Sequence, residues 1–262
     1  METLHRSGGF FLIGGKSNTC YAVFLELAGG RDANIVIIPH ASSIPGEAAA
    51  DVVAQLASLG AHNVTVLNPP GRRRARVAAM LWKWGSRRLS RLISDTPIPI
   101  GTAAVYISGG DQEHLVEKLG PGGISALQAF NSAGGLICGT SAGAACMGDF
   151  MITGGMQDGI IRANSLTTGR GLGLTGRILF DTHMKRNRFN RPIVALATLD
   201  IESAFGLDED TGVCIKGGTA RVFGVGNVWH YKRSQGFSCD FDHGTCTGVD
   251  VDVRTAGGVF TF

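Results

Sequence analysis

Ala33-Asn34-Ile35-Val36-Ile37-Ile38 is the stretch that most narrows the fold. It is a nearly continuous β-branched run without alternation, so as a strand it buries both faces. Such a strand needs helices above and below it, and the flanking sequence supplies them. Phe10-Phe11-Leu12-Ile13 reads as a short strand ending at Gly14-Gly15. Cys20 to Ala28 has a helical pattern that stops at Gly29-Gly30, and Gly46 to Leu59 has another that stops at Gly60. Asn63 to Leu67 and Ala103 to Ser108 read as further buried strands, and Glu113 to Leu119 and Ile124 to Ala133 as further helices. This alternation predicts a mostly parallel sheet with helices on both faces.

The second half is less regular. Asp149 to Thr175 is Gly-rich with weak periodicity and reads as irregular. Arg177-Ile178-Leu179-Phe180 leads into Asp181-Thr182-His183, and Arg191 to Ile201 reads as a helix. Ala204 to Leu207 and Thr211 to Lys216 read as strands. Arg221 to Val225 and Val228 to Tyr231 suggest a closing β-hairpin or meander, with turns and short strands from Ser234 onward. With no linker and no internal repeat, residues 1–262 are expected to form one α/β domain.

Several function classes are disfavoured. A net charge of +3 is too small to argue for nucleic acid. No apolar run reaches the length of a membrane span, and the N-terminus lacks the apolar core of a secretory signal. The expectation is a cytoplasmic protein without nucleic-acid or membrane partners. The six Cys form no C-x-x-C pair. Cys239 and Cys246 bracket a turn and could pair if oxidised, but the reduced state is expected. Arg72 to Arg91 is a basic stretch containing Trp82 and Trp84. It reads either as a solvated face with tryptophans packed inward or as a contact surface for an acidic partner.

Gly139-Thr140-Ser141-Ala142-Gly143 carries the chemistry. It follows the apolar run Gly135 to Cys138 and precedes Ala144-Ala145-Cys146-Met147, which reads as a helix start. Strand, sharp turn and helix are the setting of a nucleophile elbow, which exposes the serine oxygen. A serine nucleophile needs a base and a group to orient that base. Of seven His, His183 has the most telling neighbours: Asp181, Thr182, Lys185, Arg186, Arg188 and Arg191. His40 and His114 follow strands that could abut the elbow. For the orienting acid, Glu209 stands out in Asp208-Glu209-Asp210, where adjacent like charges need a cationic partner. The order Ser, His, Glu differs from the Ser, acid, His order of the α/β-hydrolases.

Four segments in this order resemble the cyanophycinase family of serine peptidases, relatives of the peptidase E aspartyl dipeptidases. They are Gly109-Gly110-Asp111-Gln112, Gly139 to Ala144, Asp181-Thr182-His183 with Arg186, Arg188 and Arg191, and Gly206-Leu207-Asp208-Glu209. The resemblance implies a three-layer α/β/α, flavodoxin-like fold of the class I glutamine amidotransferase kind, often a homodimer. It implies Ser141 as nucleophile, His183 as base and Glu209 as its acid, with the Gly110 and Ala142 amides as oxyanion hole. Asp111, Gln112, Asp181, Thr182, Arg186, Arg188 and Arg191 match positions that hold substrate. The implied substrate is cyanophycin, a polyaspartate bearing arginine on each β-carboxyl, released as β-aspartyl-arginine dipeptides. Neither metal nor organic cofactor is expected. Thr182 stands where the family usually has Gln, and Met184 where an aromatic is common. These departures keep a second substrate class open, small aspartyl or isoaspartyl peptides. A binding protein that retains the elbow without catalysis is the remote alternative.

Overall fold

The structure, a computed structural model, describes residues 8–67, 93–94, 98–155 and 159–262. The basic stretch Arg72 to Arg91 lies outside the described residues. Strands and helices alternate through the first half: β1 (Gly9–Ile13), α1 (Cys20–Leu27), β2 (Asn34–Ile38), α2 (Pro45–Ser58), β3 (Asn63–Leu67), β4 (Ile93–Ser94), β5 (Ala104–Ile107), α3 (Gln112–Ser132) and β6 (Leu136–Thr140). The second half adds α4 (Ala142–Ala145), β7 (Phe150–Gly155), β8 (Leu166–Arg170), β9 (Ile178–Thr182), α5 (Arg191–Thr198), β10 (Ser203–Leu207), β11 (Thr211–Lys216), β12 (Thr219–Gly224), β13 (Val228–Asp240), β14 (Thr245–Arg254) and β15 (Val259–Thr261).

The main sheet has the order β15-β12-β11-β1-β6-β5-β2-β3-β4. From β1 to β4 every pairing is parallel, while β11, β12 and β15 close the other side antiparallel. Side chains of the parallel strands divide between two cores, as the period of two requires. Phe11, Ile13, Ile35 and Ile37 pack with Phe24 of α1 and Val53 and Leu56 of α2. Phe10, Leu12, Val36 and Ile38 face the other way, toward Leu115 and Leu127 of α3 and Phe180 and Phe205 of a second sheet. Each such buried side chain contributes about 1.5–3 kcal/mol. The result is the flavodoxin-like three-layer arrangement, extended on the α3 side by the second sheet, β14-β13-β10-β9. Within α3 the path breaks at Gly120 (φ 57°), followed by Pro121, which divides it into the two helical pieces read from the sequence.

Four expectations are corrected. The segment from Asp149 to Thr175 is not irregular throughout, because β7 and β8 pair antiparallel, with a register break between Ile152 and Gly154. Its ladder is held by backbone bonds that need no apolar alternation. The strands after Arg221 form neither a hairpin nor a meander with each other: β12 pairs with β11 and β15, whereas β13 pairs with β10 and β14. The C-terminal hairpin is β13–β14, longer than the short strands expected there. Its register sets Cys239 opposite Cys246 with Cα atoms 4.1 Å apart, and the two are joined by a disulfide rather than reduced. No helix among the described residues is long and apolar enough to cross a membrane.

Candidate active site

The ends of β5, β6 and β9 and the strand β7 border one polar cleft of about 310 Å³. Ser141 leaves β6 at φ 51°, ψ −116°, a conformation that side chains rarely adopt. Two bonds fasten the turn to the end of β1. The Ser141 amide donates to the Ile13 carbonyl at 2.9 Å, and Thr140 Oγ1 donates to the Gly15 carbonyl at 2.9 Å. The helix that follows, α4, is a single turn of four residues. Its aligned dipole is therefore small, and the local donors are individual amides.

His183 follows β9, also in the left-handed region at φ 58°. Its amide donates to the Gly14 carbonyl at 3.0 Å. Gly15 lies against the imidazole, and a Cβ there would stand 2.5 Å from Cε1. The imidazole bridges two partners: Nε2 lies 2.7 Å from Ser141 Oγ, and Nδ1 lies 2.7 Å from Glu209 Oε1. A carboxylate accepts, so Nδ1 carries the proton and Nε2 is free to accept from the serine.

Glu209 belongs to the β10–β11 turn, where three adjacent carboxylates find three separate sets of donors. Asp208 is fully buried, and its Oδ2 accepts from the Asn227 amide at 3.1 Å. Asp210 Oδ1 accepts from Ser17 Oγ, the Asn18 and Thr19 amides, and Thr19 Oγ1. These bonds fix the turn so that Glu209 points at His183. Burial pulls the His183 pKa below its ordinary value, the bond to Glu209 opposes that, and Arg186 and Arg188 add to the lowering. The bond from His183 holds the Glu209 carboxyl below the usual carboxylate range, with Arg186 adding to the effect.

Gly110 and Ala142 line the same cleft as Ser141. Their amides donate to no protein acceptor among the described residues. Gly110 takes φ 146°, and a Cβ there would lie 2.2 Å from the Ala41 carbonyl oxygen, so no other residue fits without displacing the backbone.

The other sequence-derived candidates divide. Asp111 caps α3, accepting from the His114 amide at 2.9 Å, and lies outside the cleft lining. Gln112 lines the cleft but donates through Nε2 to the Ile152 carbonyl at 2.7 Å, tying α3 to the β7 strand. Asp181 and Arg191 are both buried and approach to 3.1 Å without hydrogen-bond geometry. Burial raises the Asp181 pKa despite Arg191 and Arg188, and lowers that of Arg191. Thr182 is buried, and its carbonyl accepts from Arg188 at 3.0 Å. Arg186 donates to Glu209 Oε1 at 2.9 Å. His40 and His230 are buried with pKa values lowered by desolvation to about 4, and neither reaches Ser141. The sequence reading missed the wall formed by Ile152, Thr153, Gly154 and Gly155, which follows from the β7–β8 hairpin. It also missed the support that Gly14 and Gly15 give His183, although a Gly pair closing a strand was a usable signal.

Comparison with known proteins follows the same lines. The sequence model of Peptidase family S51 matches residues 99–223. A cyanophycinase from Synechococcus elongatus is 30% identical over 245 residues, covering 87% of this chain and 70% of that protein. The chain belongs to peptidase family S51. A second cyanophycinase, from a Nostoc species, is 30% identical over 209 residues, 78% of this chain; the match spans 65% of that protein's length. Solved structures agree on the S51 chain's fold. A peptidase from an acI-B1 actinobacterium superposes with TM-score 0.64 at 19% identity, covering 98% of both chains. A putative peptidase E protein from Listeria monocytogenes EGD-e gives 0.52 at 17%, covering 84% of this chain and 99% of that one.

Proposed function

We propose that this S51 chain is a serine peptidase that opens aspartyl peptide linkages through an acyl-enzyme. The observation that carries this is the relay from Ser141 through His183 to Glu209, two contacts of 2.7 Å built from three separate segments. In this reading His183 takes the Ser141 proton as Oγ attacks the peptide carbonyl, and Glu209 steadies the imidazolium that forms. The Gly110 and Ala142 amides receive the oxyanion. His183 then protonates the leaving amine, and water releases the acyl group by the same path in reverse. Reaction needs no metal or organic cofactor in this scheme.

The substrate we infer is cyanophycin, cut to β-aspartyl-arginine. Its free carboxylates suit a cleft bordered by Arg186, Arg188 and Arg191, because a guanidinium fork matches a carboxylate. The family relatives that bear the name cyanophycinase add weight to this substrate. A second reading, small aspartyl or isoaspartyl peptides, is favoured by a specific observation. Arg191 is occupied by Asp181, and Thr182 offers a shorter side chain than the Gln expected there, so fewer groups reach toward a long substrate. The whole of residues 1–262 acts as one unit, in the cytoplasm and as a homodimer, in either reading.

The test is incubation of wild type and Ser141→Ala with insoluble cyanophycin and with isoaspartyl dipeptides, with products read by mass spectrometry. β-Aspartyl-arginine from the wild type alone supports the first reading. Cleavage of dipeptides without polymer degradation selects the second.

A further inference from the structure

Glu209 Oε1 accepts two bonds at once, from His183 Nδ1 at 2.7 Å and from one guanidinium nitrogen of Arg186 at 2.9 Å. The two donors differ in freedom. The His183 side chain is 14% exposed and held by Gly14 and Gly15, whereas that of Arg186 is 62% exposed. Arg186 also lines the cleft. A flexible cation therefore stands within reach of both the orienting acid and any carboxylate that enters beside Ser141. Its bond to Glu209 is partly exposed and single-pronged, and such surface pairs contribute little. A substrate carboxylate can take both prongs of the fork, which is the stronger arrangement.

We propose that Arg186 is a positioning residue shared between Glu209 and the substrate, which moves its guanidinium from Glu209 to the incoming carboxylate and so leaves Glu209 wholly to His183. The inference rests on the serine-peptidase reading above and adds a coupling between substrate charge and the base. While Arg186 sits on Glu209 it opposes the gain of a proton by His183. Once its charge is matched by a carboxylate, that opposition falls and His183 is a stronger base toward Ser141.

The groups that face His183 are few enough to assign. From its own loop come Arg186, Arg188 and Lys185, the last paired with buried Asp208 at 3.6 Å. From the β10–β11 turn come Glu209 and Asp210, the latter occupied by the Ser17 to Thr19 donors. Lys16, after β1, is exposed and gives its carbonyl to the Asp210 amide. Asp181, at the end of β9, is matched by Arg191. Among these, Arg186 alone both touches the acid and lies on the open side of the cleft.

The experiment measures how fast an uncharged fluorophosphonate phosphonylates the nucleophile, with loss of fluoride, as pH is varied, for wild type, Arg186→Met and Arg186→Lys. Each is run with and without N-acetyl-L-aspartate as a carboxylate probe. The pH at which phosphonylation is half-maximal should rise in Arg186→Met and stay near wild type in Arg186→Lys, which keeps the charge. N-acetyl-L-aspartate should raise it in wild type and leave it unmoved in Arg186→Met. A midpoint that is unchanged or lower in Arg186→Met overturns the proposal, even if the rate drops, since a merely structural contact would lower the rate alone. Failure of the probe to phosphonylate wild type at all would instead fell the nucleophile assignment, and the shared-arginine idea with it.

Discussion

Ser141 and His183 both hold left-handed backbone, at φ 51° and 58°, and their side chains meet at 2.7 Å. Two residues in unfavourable conformations at one contact point to geometry kept for the site rather than for stability. Such strain costs on the order of 1–3 kcal/mol per residue. Replacing Ser141 with Gly should relieve it, whereas Ala at the same position should not. Urea denaturation is expected to find Ser141→Gly more stable than Ser141→Ala by about 1 kcal/mol, with turnover lost in both. Equal stability would mean the turn is not strained.

Gly110 is the second place where backbone shape and chemistry coincide. Gly110→Ala drives a methyl against the Ala41 carbonyl and must displace the amide assigned to the oxyanion. Loss of such a donor typically lowers kcat by about 10² to 10³. Steady-state kinetics should show that fall in kcat with KM little changed. A matching rise in KM with kcat intact would assign Gly110 to substrate binding instead.

The pH dependence has a definite sign. In the proposed mechanism His183 acts as a base, which requires it to be neutral, and burial sets its pKa below the ordinary value of about 6.5. Activity should therefore hold as pH falls through 6.5 and decline only when the lower folded-state pKa is crossed. A kcat/KM profile whose acid limb lies at or above 6.5 would contradict the assignment.

Asp181 and Arg191 form a buried pair in the wall of the cleft. Asp181→Asn leaves the Arg191 cation buried without its counter-charge, which costs about 3–5 kcal/mol. Arg191→Met in the same background should recover most of that loss. Chemical denaturation of the two single variants and the double variant gives the coupling. Simple additivity would show that the pair does not act as a unit.

The sequence made some of this legible and hid the rest for physical reasons. The strand from Asn34 to Ile38 is apolar on both faces, so its burial between helices could be read directly. Ser141, between an apolar strand and small residues, announced a sharp turn. The β7–β8 hairpin did not show, because its residues line a cleft on one side and include glycines, which leaves no apolar period to detect. The β13–β14 pair was hidden for a related reason: the Val residues of β14 alternate with Asp, but Asp250 to Arg254 are exposed throughout, so the alternation marks no core. The arginines were legible as charges and not as contacts. Spacing alone cannot tell that Arg186 turns to Glu209 while Arg191 turns inward to Asp181.

Covalent capture tests the central claim most directly. Wild type, Ser141→Ala and His183→Ala would be treated with a fluorophosphonate and digested, and the modified residue located by mass spectrometry. One adduct is expected, on Ser141, in wild type, with none in Ser141→Ala and labelling slowed by orders of magnitude in His183→Ala. An adduct on another residue, or peptide turnover that survives in Ser141→Ala, would contradict it.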